Sequence, residues 1–364
     1  MKPEMQHHEA TETNIVSGNF FIFYAFDVGD DIALNKVEAS NELLVKQHTL
    51  SKYFKNYHIP LAIELPQAST QSRCIKATLH SFGVISLVYK VPFNDTFETM
   101  KKTLNSVDAE FREQSIADAH AIFSKIKGFI KQARFFHLRN SYVVIQVDQN
   151  PQLSVLDLKQ NYGGAIASLL QFETESLSEY QKDAILESAT GYYRGDLIII
   201  DTEAAFVYDE DYAEILDLFE FANIQQLELH YYDRILDQQL NAVYQQEAWT
   251  LPLTAYIPFI TTTTKDPISN LDRLKVEISV IIERIESSVK TAGDVYVAET
   301  YTLLVEKLDL KSWKDSLNTK LGIIKDVLSV YQSKIDTTRE DLLSVLVIVL
   351  IFIELIVGIL SYLK

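Results

Sequence analysis

The C-terminal end of the chain carries a long apolar run, which constrains the fold more than any other feature. It extends from Leu342 to Leu363 and reads LLSVLVIVLIFIELIVGILSYL. As an α-helix, a segment of this length rises about 33 Å, enough to cross a hydrocarbon core of roughly 30 Å. We therefore expect one transmembrane helix over 342–363 that anchors the protein by its tail, with nearly all of its mass on the N-terminal side. The alternative is a buried helix of a soluble protein.

One carboxyl group lies near the middle of this run. An ionised side chain at that depth costs on the order of 2.5–3.5 kcal/mol on insertion scales. We therefore expect Glu354 to be protonated or paired. We interpret it as facing a neighbouring helix, such as that of a second copy, with Gly358 one turn later allowing close approach. A protonated glutamate that faces lipid is the alternative.

The N-terminal segment, residues 1–17, contains polar and acidic side chains and no apolar run. It lacks both the apolar core of a secretory signal and the Arg-rich amphipathic helix of a transit peptide. We interpret it as a flexible tail, in which His7 and His8 have no further metal ligands nearby. Without a signal peptide, we expect the soluble part of the protein to lie in the cytoplasm.

The composition excludes several classes of protein. With 364 residues, 47% hydrophobic and 23% charged, the chain is long enough for two or three folding units and is typical of globular proteins. Its one cysteine, Cys74, excludes a disulfide scaffold and a cysteine-rich metal site. The formal charge of −17 disfavours broad binding to nucleic acid, because that affinity comes from Lys and Arg neutralising phosphates.

The charges are distributed unevenly along the chain. Residues 196–264 contain many acidic residues but only one basic residue, Arg234, which predicts an acidic surface suited to a basic protein partner. Residues 121–139 contain no acidic residue; basic side chains beside aromatics, as here, could contact RNA or anionic lipid headgroups. The alternative is a helix with an aromatic core face and solvated or ion-paired cations. The candidate contacts are Lys125, Lys127, Lys131, Arg134 and Arg139.

Residues 18–247 show the pattern of an α+β or α/β domain, in which strands recur with helices between them. Gly83 lies between two β-rich stretches and fits the positive-φ position of a hairpin. Whether the sheet is parallel is left open by the pattern. The predicted strands are 20–26, 74–79, 84–91, 142–147 and 196–200, and the predicted helices are 36–53, 95–132, 178–190 and a long one after residue 211.

The rest of the chain predicts a helical stalk. Prolines and threonines in 248–267 mark a linker, and 268–341 is expected to be helical. Strict three–four spacing in the second half of this segment predicts a coiled-coil seam that continues into the anchor. Its partner is either an antiparallel helix over 268–290 or a second chain. The seam residues are Leu317, Leu321, Ile324, Leu328, Tyr331, Ile335, Thr338 and Leu342.

The sequence contains none of the common nucleotide-binding, zinc-protease or serine-hydrolase motifs. Asp201, Asp209 and Asp211 could hold Mg²⁺ with oxygen ligands. The alternative is that the Asp209–Asp211 segment precedes a helix, whose dipole favours carboxylates at its N-terminus. His230 and Asp233 lie one turn apart; a general base is conceivable, but a structural polar network is favoured because no nucleophile is evident.

Several stretches also carry a family resemblance: DLIIIDTEAAFVYDEDY (196–212), LFEFANIQQLELHYYDRILDQQL (218–240), AGDVYVAETYTLLVEKLDLKSWKDSLNTKL (292–321), VLIFIELIVGIL (349–360) and HSFGVISLVYKVPF (80–93). They resemble bacterial proteins of unknown function that are similar to the Required for Meiotic Nuclear Division (RMD) family. The resemblance implies an α/β domain, following helices and one C-terminal span with a glutamate. Mitochondrial relatives face the matrix from the inner membrane and support translation by holding ribosomes or transcripts nearby.

These observations together predict a non-enzymatic, tail-anchored scaffold in the inner (plasma) membrane of a bacterium, spanning it once. Its acidic α/β domain would face the cytoplasm, and stalk and anchor would self-associate. No cofactor is expected. The alternative is a membrane-bound enzyme that depends on a metal or nucleotide held by the acidic cluster at 201–211.

Overall fold

The computed structural model describes residues 15–46, 59–66, 73–135, 139–245, 274–276, 278–280, 283 and 295–363. The chain divides into two compact units. Unit 1 comprises Met1–Leu229 and Arg284–Lys311, and unit 2 comprises His230–Glu283 and Ser312–Lys364. The expected linker at 248–267 lies outside the described residues, and so do His7 and His8.

The elements follow one another in this order: β1 (Val16–Asp27), β2 (Asp31–Ile32), α1 (Leu34–Ser40), β3 (Leu61–Ile63), β4 (Cys74–His80), β5 (Val84–Asp95), α2 (Phe97–Ile126), β6 (Ile130–Lys131), β7 (Arg139–Val147), α3 (Val155–Asn161), α4 (Gly163–Leu170), α5 (Glu179–Leu186), β8 (Leu197–Ile200), β9 (Ala204–Tyr208), α6 (Tyr212–Gln245), α7 (Val295–Lys307) and α8 (Leu310–Tyr362). Helix α6 belongs to unit 1 up to Leu229 and to unit 2 from His230. The first strand begins at Val16, inside the segment expected to be a tail.

Unit 1 is built on a seven-stranded sheet in the order β3-β4-β5-β1-β7-β9-β8. Neighbouring strands are antiparallel except for β7 and β9, which run parallel. The described part of unit 1 is thus a mixed α/β domain. A short pair, β2 with β6, forms a second, two-stranded sheet.

The central strand β1 is buried on both faces, which explains its aromatic sequence. Alternate side chains point to opposite faces of a sheet. Tyr24 lies with Tyr89 and Phe111 of α2 in the main core. The next residue, Ala25, packs with Phe221 of α6 in a second cluster. Helices α2 and α6 therefore cover opposite faces of β1, and both faces must be apolar.

The turn between β4 and β5 confirms the predicted hairpin. Gly83 has a φ of 98°, in the left-handed region that favours glycine. A Cβ atom at this position would lie 1.8 Å from the carbonyl oxygen of Gly29. The glycine is required here both by the backbone conformation and by the close approach of a neighbouring chain segment.

Four local predictions need correction. The helix predicted over 36–53 is α1, which ends at Ser40 because Asn41 adopts a left-handed conformation with φ of 54°. Residues 201–211 were interpreted as a connection but contain the buried strand β9, because the short run AAFVY resembles a loop between polar residues. Helices α3 and α4 lie in a stretch with no predicted element. Helix α2 begins after Thr96, whose Oγ1 accepts a hydrogen bond from the backbone N–H of Thr99 at 3.2 Å, and not after Asp95.

Within unit 2, the first half of the predicted stripe on α8 is buried. Leu317, Leu321, Ile324 and Leu328 are buried, Ile335 and Thr338 are half-buried, and Leu342 is exposed. The contacts between α6 and α8 advance in the same direction and by the same number of residues along both helices, so these segments run parallel. The contacts are His230 with Trp313, Asp233 with Ser316 and Lys320, and Asp237 with Lys320. Of the expected partner segment 268–290, the buried Ile278 is described, but the greater part lies outside the described residues.

The far end of α8 contains the apolar run. Among the described residues, α8 is the one helix long and apolar enough to cross a membrane, with a mean hydropathy of 3.1 over its most apolar window. No part of that window is buried inside the protein. A buried core helix would show the opposite, so the structure favours a candidate membrane-spanning helix.

Candidate functional site

The described part of unit 1 contains a polar cleft of about 640 Å³ beside the first residues of β7 and β9. Basic, acidic and amide side chains face one another across it. Five segments line the cleft: Asn105, Asp108 and Arg112 on α2; Arg139, Asn140, Ser141 and Val143 on β7; Phe172 after α4; Thr202 and Glu203 before β9; and Gln226 on α6.

On the α2 side of the cleft, Arg112 is already paired. Its Nη2 lies 2.8 Å from Oδ2 of Asp108, one helical turn earlier. This hydrogen bond, followed by the charge of the carboxylate, raises the pKa of Arg112. The Tyr24 hydroxyl points at the same carboxylate, with its oxygen 3.4 Å from Oδ1. Burial, and then the Asp108 charge, raise the pKa of Tyr24, so Tyr24 stays protonated.

On the β7 side of the cleft, the guanidinium of Arg139 donates a hydrogen bond to an uncharged acceptor. Its Nη1 donates to the backbone carbonyl of Arg112 at 3.0 Å. The next residue, Asn140, donates from Nδ2 to Oε1 of Gln226 at 2.6 Å and to the carbonyl of Asn223 at 3.2 Å. These hydrogen bonds of the Asn140 amide join the start of β7 to α6 and hold the residues that line the cleft in place.

The members of the predicted basic stretch lie on several elements. Lys125 ends α2 and donates from Nζ to the carbonyl of Glu42 at 3.2 Å. Lys127 is exposed in the following turn, and Lys131 lies in β6, paired with β2. Arg134 pairs with Asp30 at 3.1 Å. Of the five basic candidates, Arg139 is the one that lines the cleft.

The acidic candidates lie at opposite ends of β9. Asp201 precedes the strand and accepts a hydrogen bond from Gln171. Asp209 follows it and accepts from the hydroxyl of Tyr296 and the backbone N–H of Asp211, both at 2.8 Å. Burial raises the pKa of Asp209. The described residues contain no group of three or more His, Cys, Asp or Glu side chains arranged to hold a metal.

The alternative interpretation of residues 209–211, that they precede a helix, is confirmed, since α6 begins directly after them at Tyr212.

The predicted pair His230 and Asp233 lies in unit 2. Asp233 accepts hydrogen bonds from Ser316 at 2.9 Å and Lys320 at 2.7 Å. His230 packs edge-on against Trp313, with ring centroids 4.2 Å apart, and burial lowers its pKa. These contacts favour the structural polar network.

A buried ion-pair network joins β4 to α6, and sequence reasoning missed it. Nζ of Lys76 lies 2.7 Å from Oε2 of Glu220 and 2.9 Å from Oδ1 of Asp217. The other oxygen of Glu220 accepts from Thr78 at 3.1 Å and Ser86 at 2.7 Å. Burial alone would raise the pKa of Glu220, but Lys76 outweighs it and lowers that pKa to about 2. One signal was present: Glu220 interrupts the apolar run LFEFA.

Two further buried carboxyl groups lie near the end of β1. Asp27 and Glu228 are each 1% exposed, and one oxygen of each has no hydrogen-bond partner among the described residues. Burial raises the pKa of Asp27 to about 6. Burial, and then the charge of Asp27, raise the pKa of Glu228 well above its usual value. Arg134 opposes both shifts, so the two acids share one nearby cation.

The anchor candidates lie on α8, where Glu354 is exposed along the helix and a Cβ at Gly358 would meet open space. Among the described residues, neither Glu354 nor Gly358 makes a side-chain hydrogen bond or an ion pair to another part of the chain, as expected for a helix surface that faces outward.

Comparison with known proteins gives a family for the N-terminal part of the chain. The model of the family described as "Uncharacterized protein MJ0711, N-terminal domain" matches residues 17–214. The uncharacterized protein MJ0711 of Methanocaldococcus jannaschii is 24% identical over 195 residues, which cover 53% of this chain and 58% of the relative. This chain therefore spans less than two thirds of that relative.

No solved structure matches the chain. The expectation of an uncharacterised domain family agrees with these matches, although neither of them names the RMD family. The family match covers the whole sheet, from β1 to the start of α6, and with it most of the cleft. Because it covers more than half of the chain, the protein belongs to the family of the MJ0711 N-terminal domain.

Proposed function

We propose that the protein is a non-enzymatic scaffold tethered to a membrane. The observation that carries this proposal is the exposed apolar end of α8, which continues without a break from the helix whose buried face builds unit 2. A long amphipathic helix that ends in an apolar span serves to attach a protein rather than to bind substrate. The dispersed acidic candidates around β9 give no support to the alternative of a metal- or nucleotide-dependent enzyme.

The anchor belongs, in this proposal, to the inner (plasma) membrane of a bacterium, with unit 1 in the cytoplasm and the buried stripe of α8 extending as a coiled-coil stalk. The resemblance to RMD proteins supports this arrangement. The proposal does not extend to a ribosome or RNA contact, because Lys125 and Arg134 are used in separate local contacts.

The partner of the scaffold is a basic protein. Residues 196–264 are strongly acidic. Five of their carboxyl groups are buried, those of Asp201, Asp209, Glu220, Glu228 and Asp233, while unit 1 exposes Glu203, Glu210, Asp211 and Glu214 at or before the start of α6. Complementary charges across an interface speed association and select partners. An acidic surface of this kind is therefore suited to hold a basic protein near the membrane.

Reversing the charge of the exposed acidic residues tests the proposed contact with a basic partner. We expect the full chain to stay in membranes that have been washed with carbonate. After crosslinking, we expect a basic protein to co-purify with it. The double variant Glu210→Lys/Asp211→Lys should lower its recovery about fivefold, because like charges repel. The matched control is Glu110→Lys/Glu113→Lys, on the exposed side of α2. Extraction of the chain by carbonate, or equal recovery from both double variants, would contradict the proposal.

Self-association of the anchor has a separate test. We propose that Glu354 hydrogen-bonds to a second copy where Gly358 allows the helices to approach. In membranes, Glu354→Leu should lower the crosslinked dimer about threefold or more, since polar contacts between membrane helices contribute about 0.6–2 kcal/mol. Glu340→Leu makes the same change outside the apolar run and should leave the dimer unchanged. An undiminished dimer in Glu354→Leu would mean that this carboxyl faces lipid.

A further inference from the structure

The polar cleft of unit 1 is not needed by a scaffold. Its volume of about 640 Å³ lies within the range of small-molecule sites, roughly 300–1,000 Å³. Most such sites are lined mainly by apolar groups, whereas this one is lined mainly by charged and amide side chains, with Val143 and Phe172 as its apolar members. A ligand that fits here must itself be polar.

Arg139 is the group best placed to recognise a ligand. An arginine carries five N–H donors, and within the described ranges this guanidinium makes one hydrogen bond, to the carbonyl of Arg112 at 3.0 Å. In the part of the chain that the structure describes, no carboxylate lies within ion-pair distance of Arg139. Its half-buried position reduces screening by water. Arg112, by contrast, is occupied by Asp108.

Hydrogen-bond acceptors also line the cleft. The side chain of Glu203 is exposed there, and its backbone carbonyl accepts from the N–H of Val143 at 3.1 Å, which ties its position to β7. Nearby, Phe172 has a φ of 55°, a conformation that is rare for a bulky residue and that gathers at ligand sites. Asn105 holds this turn by donating to the Phe172 carbonyl at 3.3 Å.

We propose that the cleft binds a small polar molecule through an oxyanion group, a phosphate or a carboxylate, on Arg139. The planar fork of arginine suits two oxygens of either group. Hydrogen-bond donors of the same molecule face Glu203, which explains why a carboxylate remains exposed in a site that takes an anion. This function goes beyond the scaffold and does not depend on it.

Calorimetric titration of the full chain in detergent micelles tests the site with three probes: adenosine 5′-monophosphate, the carboxylate adenosine 5′-carboxylic acid, and uncharged adenosine. We expect saturable binding of at least one charged probe and none of adenosine. Arg139→Gln should weaken binding about ten- to hundredfold, the usual effect of losing a charge-assisted hydrogen bond. The charged probe that binds identifies the oxyanion.

Arg194→Gln is the matched control, since Arg194 is an exposed arginine of unit 1 that does not line the cleft. It should bind as the wild type does. If Arg139→Gln fails to fold, Ser141→Trp, at an exposed position of β7, should block the cleft with the same loss. Two results would contradict the proposed site. The first is that neither charged probe binds at a concentration of about 10 mM, beyond which an affinity is too weak to be useful. The second is that wild type and Arg139→Gln bind the probe equally. Neither result would affect the membrane and partner tests of the scaffold.

Discussion

Replacing Lys76 with methionine is expected to destabilise unit 1 by about 3–5 kcal/mol, the usual cost of leaving a buried charge unpaired. Glu220 is 5% exposed and would lose the cation that lies 2.7 Å away. For a domain of this size the change corresponds to a drop of about 6–20 °C in the unfolding midpoint. Differential scanning calorimetry of the full chain in detergent measures it.

The pH dependence distinguishes this cause from simple loss of packing. In the wild type the lowered pKa of Glu220, about 2, contributes stability that is present above the unfolded pKa and is lost only as pH falls towards 2. Without Lys76, burial instead favours the protonated form. The gap between Lys76→Met and wild type should therefore narrow below about pH 5.

Two variants complete this test. Lys102→Met, an exposed lysine on α2, should leave the midpoint nearly unchanged. The double variant Lys76→Met/Glu220→Gln should recover part of the loss, because no charge is left unpaired at the position of Glu220. A midpoint of Lys76→Met close to that of wild type at pH 7 would show that the network is not a stabilising contact.

The stability of unit 1 is expected to fall as pH rises from 5 to 8, by about 1–3 kcal/mol or roughly 3–10 °C in midpoint. Asp27 has a folded pKa raised to about 6, and burial also raises the pKa of Glu228 well above its usual value. A raised folded pKa contributes stability that is complete below the unfolded pKa, about 4, and is lost as pH passes the folded one. As pH rises, the unfolded chain loses the protons of these two carboxyl groups at a lower pH than the folded chain does, which favours unfolding.

Glu228→Gln should remove at least half of this decline and should be more stable than wild type at pH 8. The amide keeps the shape of the side chain and removes one of the two buried acids. Glu113→Gln, exposed on α2, should keep the full decline. A wild-type midpoint that is flat from pH 5 to 8 would mean that these carboxyls reach water or a counter-ion in solution.

The elements with a strong local pattern could be predicted from sequence. The aromatic run at Phe20–Phe26, the alternation in β5 and the three–four spacing from Leu317 each repeat a period that the backbone itself imposes. Strand β9 could not, because five apolar residues between polar ones are too short to show a period. Its assignment depends on pairing with β7 and β8.

The cleft and the buried charges were beyond such reasoning, with one exception. Arg139 was identified because it stands in a basic stretch, but its neighbours Arg112, Asn105 and Glu203 are ordinary surface residues in their own segments. The acidic cluster at 201–211 was close in sequence and is divided in space by a strand. Closeness in sequence therefore wrongly predicted that Asp201 lies together with Asp209 and Asp211.

By itself the sequence determined the apolar helix over 342–363, the central strands and the buried face of α8, since each depends on the spacing of apolar side chains within one segment. Only the tertiary structure decided the strand order, the parallel pairing of β7 with β9 and the partners of the buried charges. Lys76 and Glu220 are 144 positions apart. Contacts between such distant residues follow from the packing of whole elements, because no local period records which segments will meet.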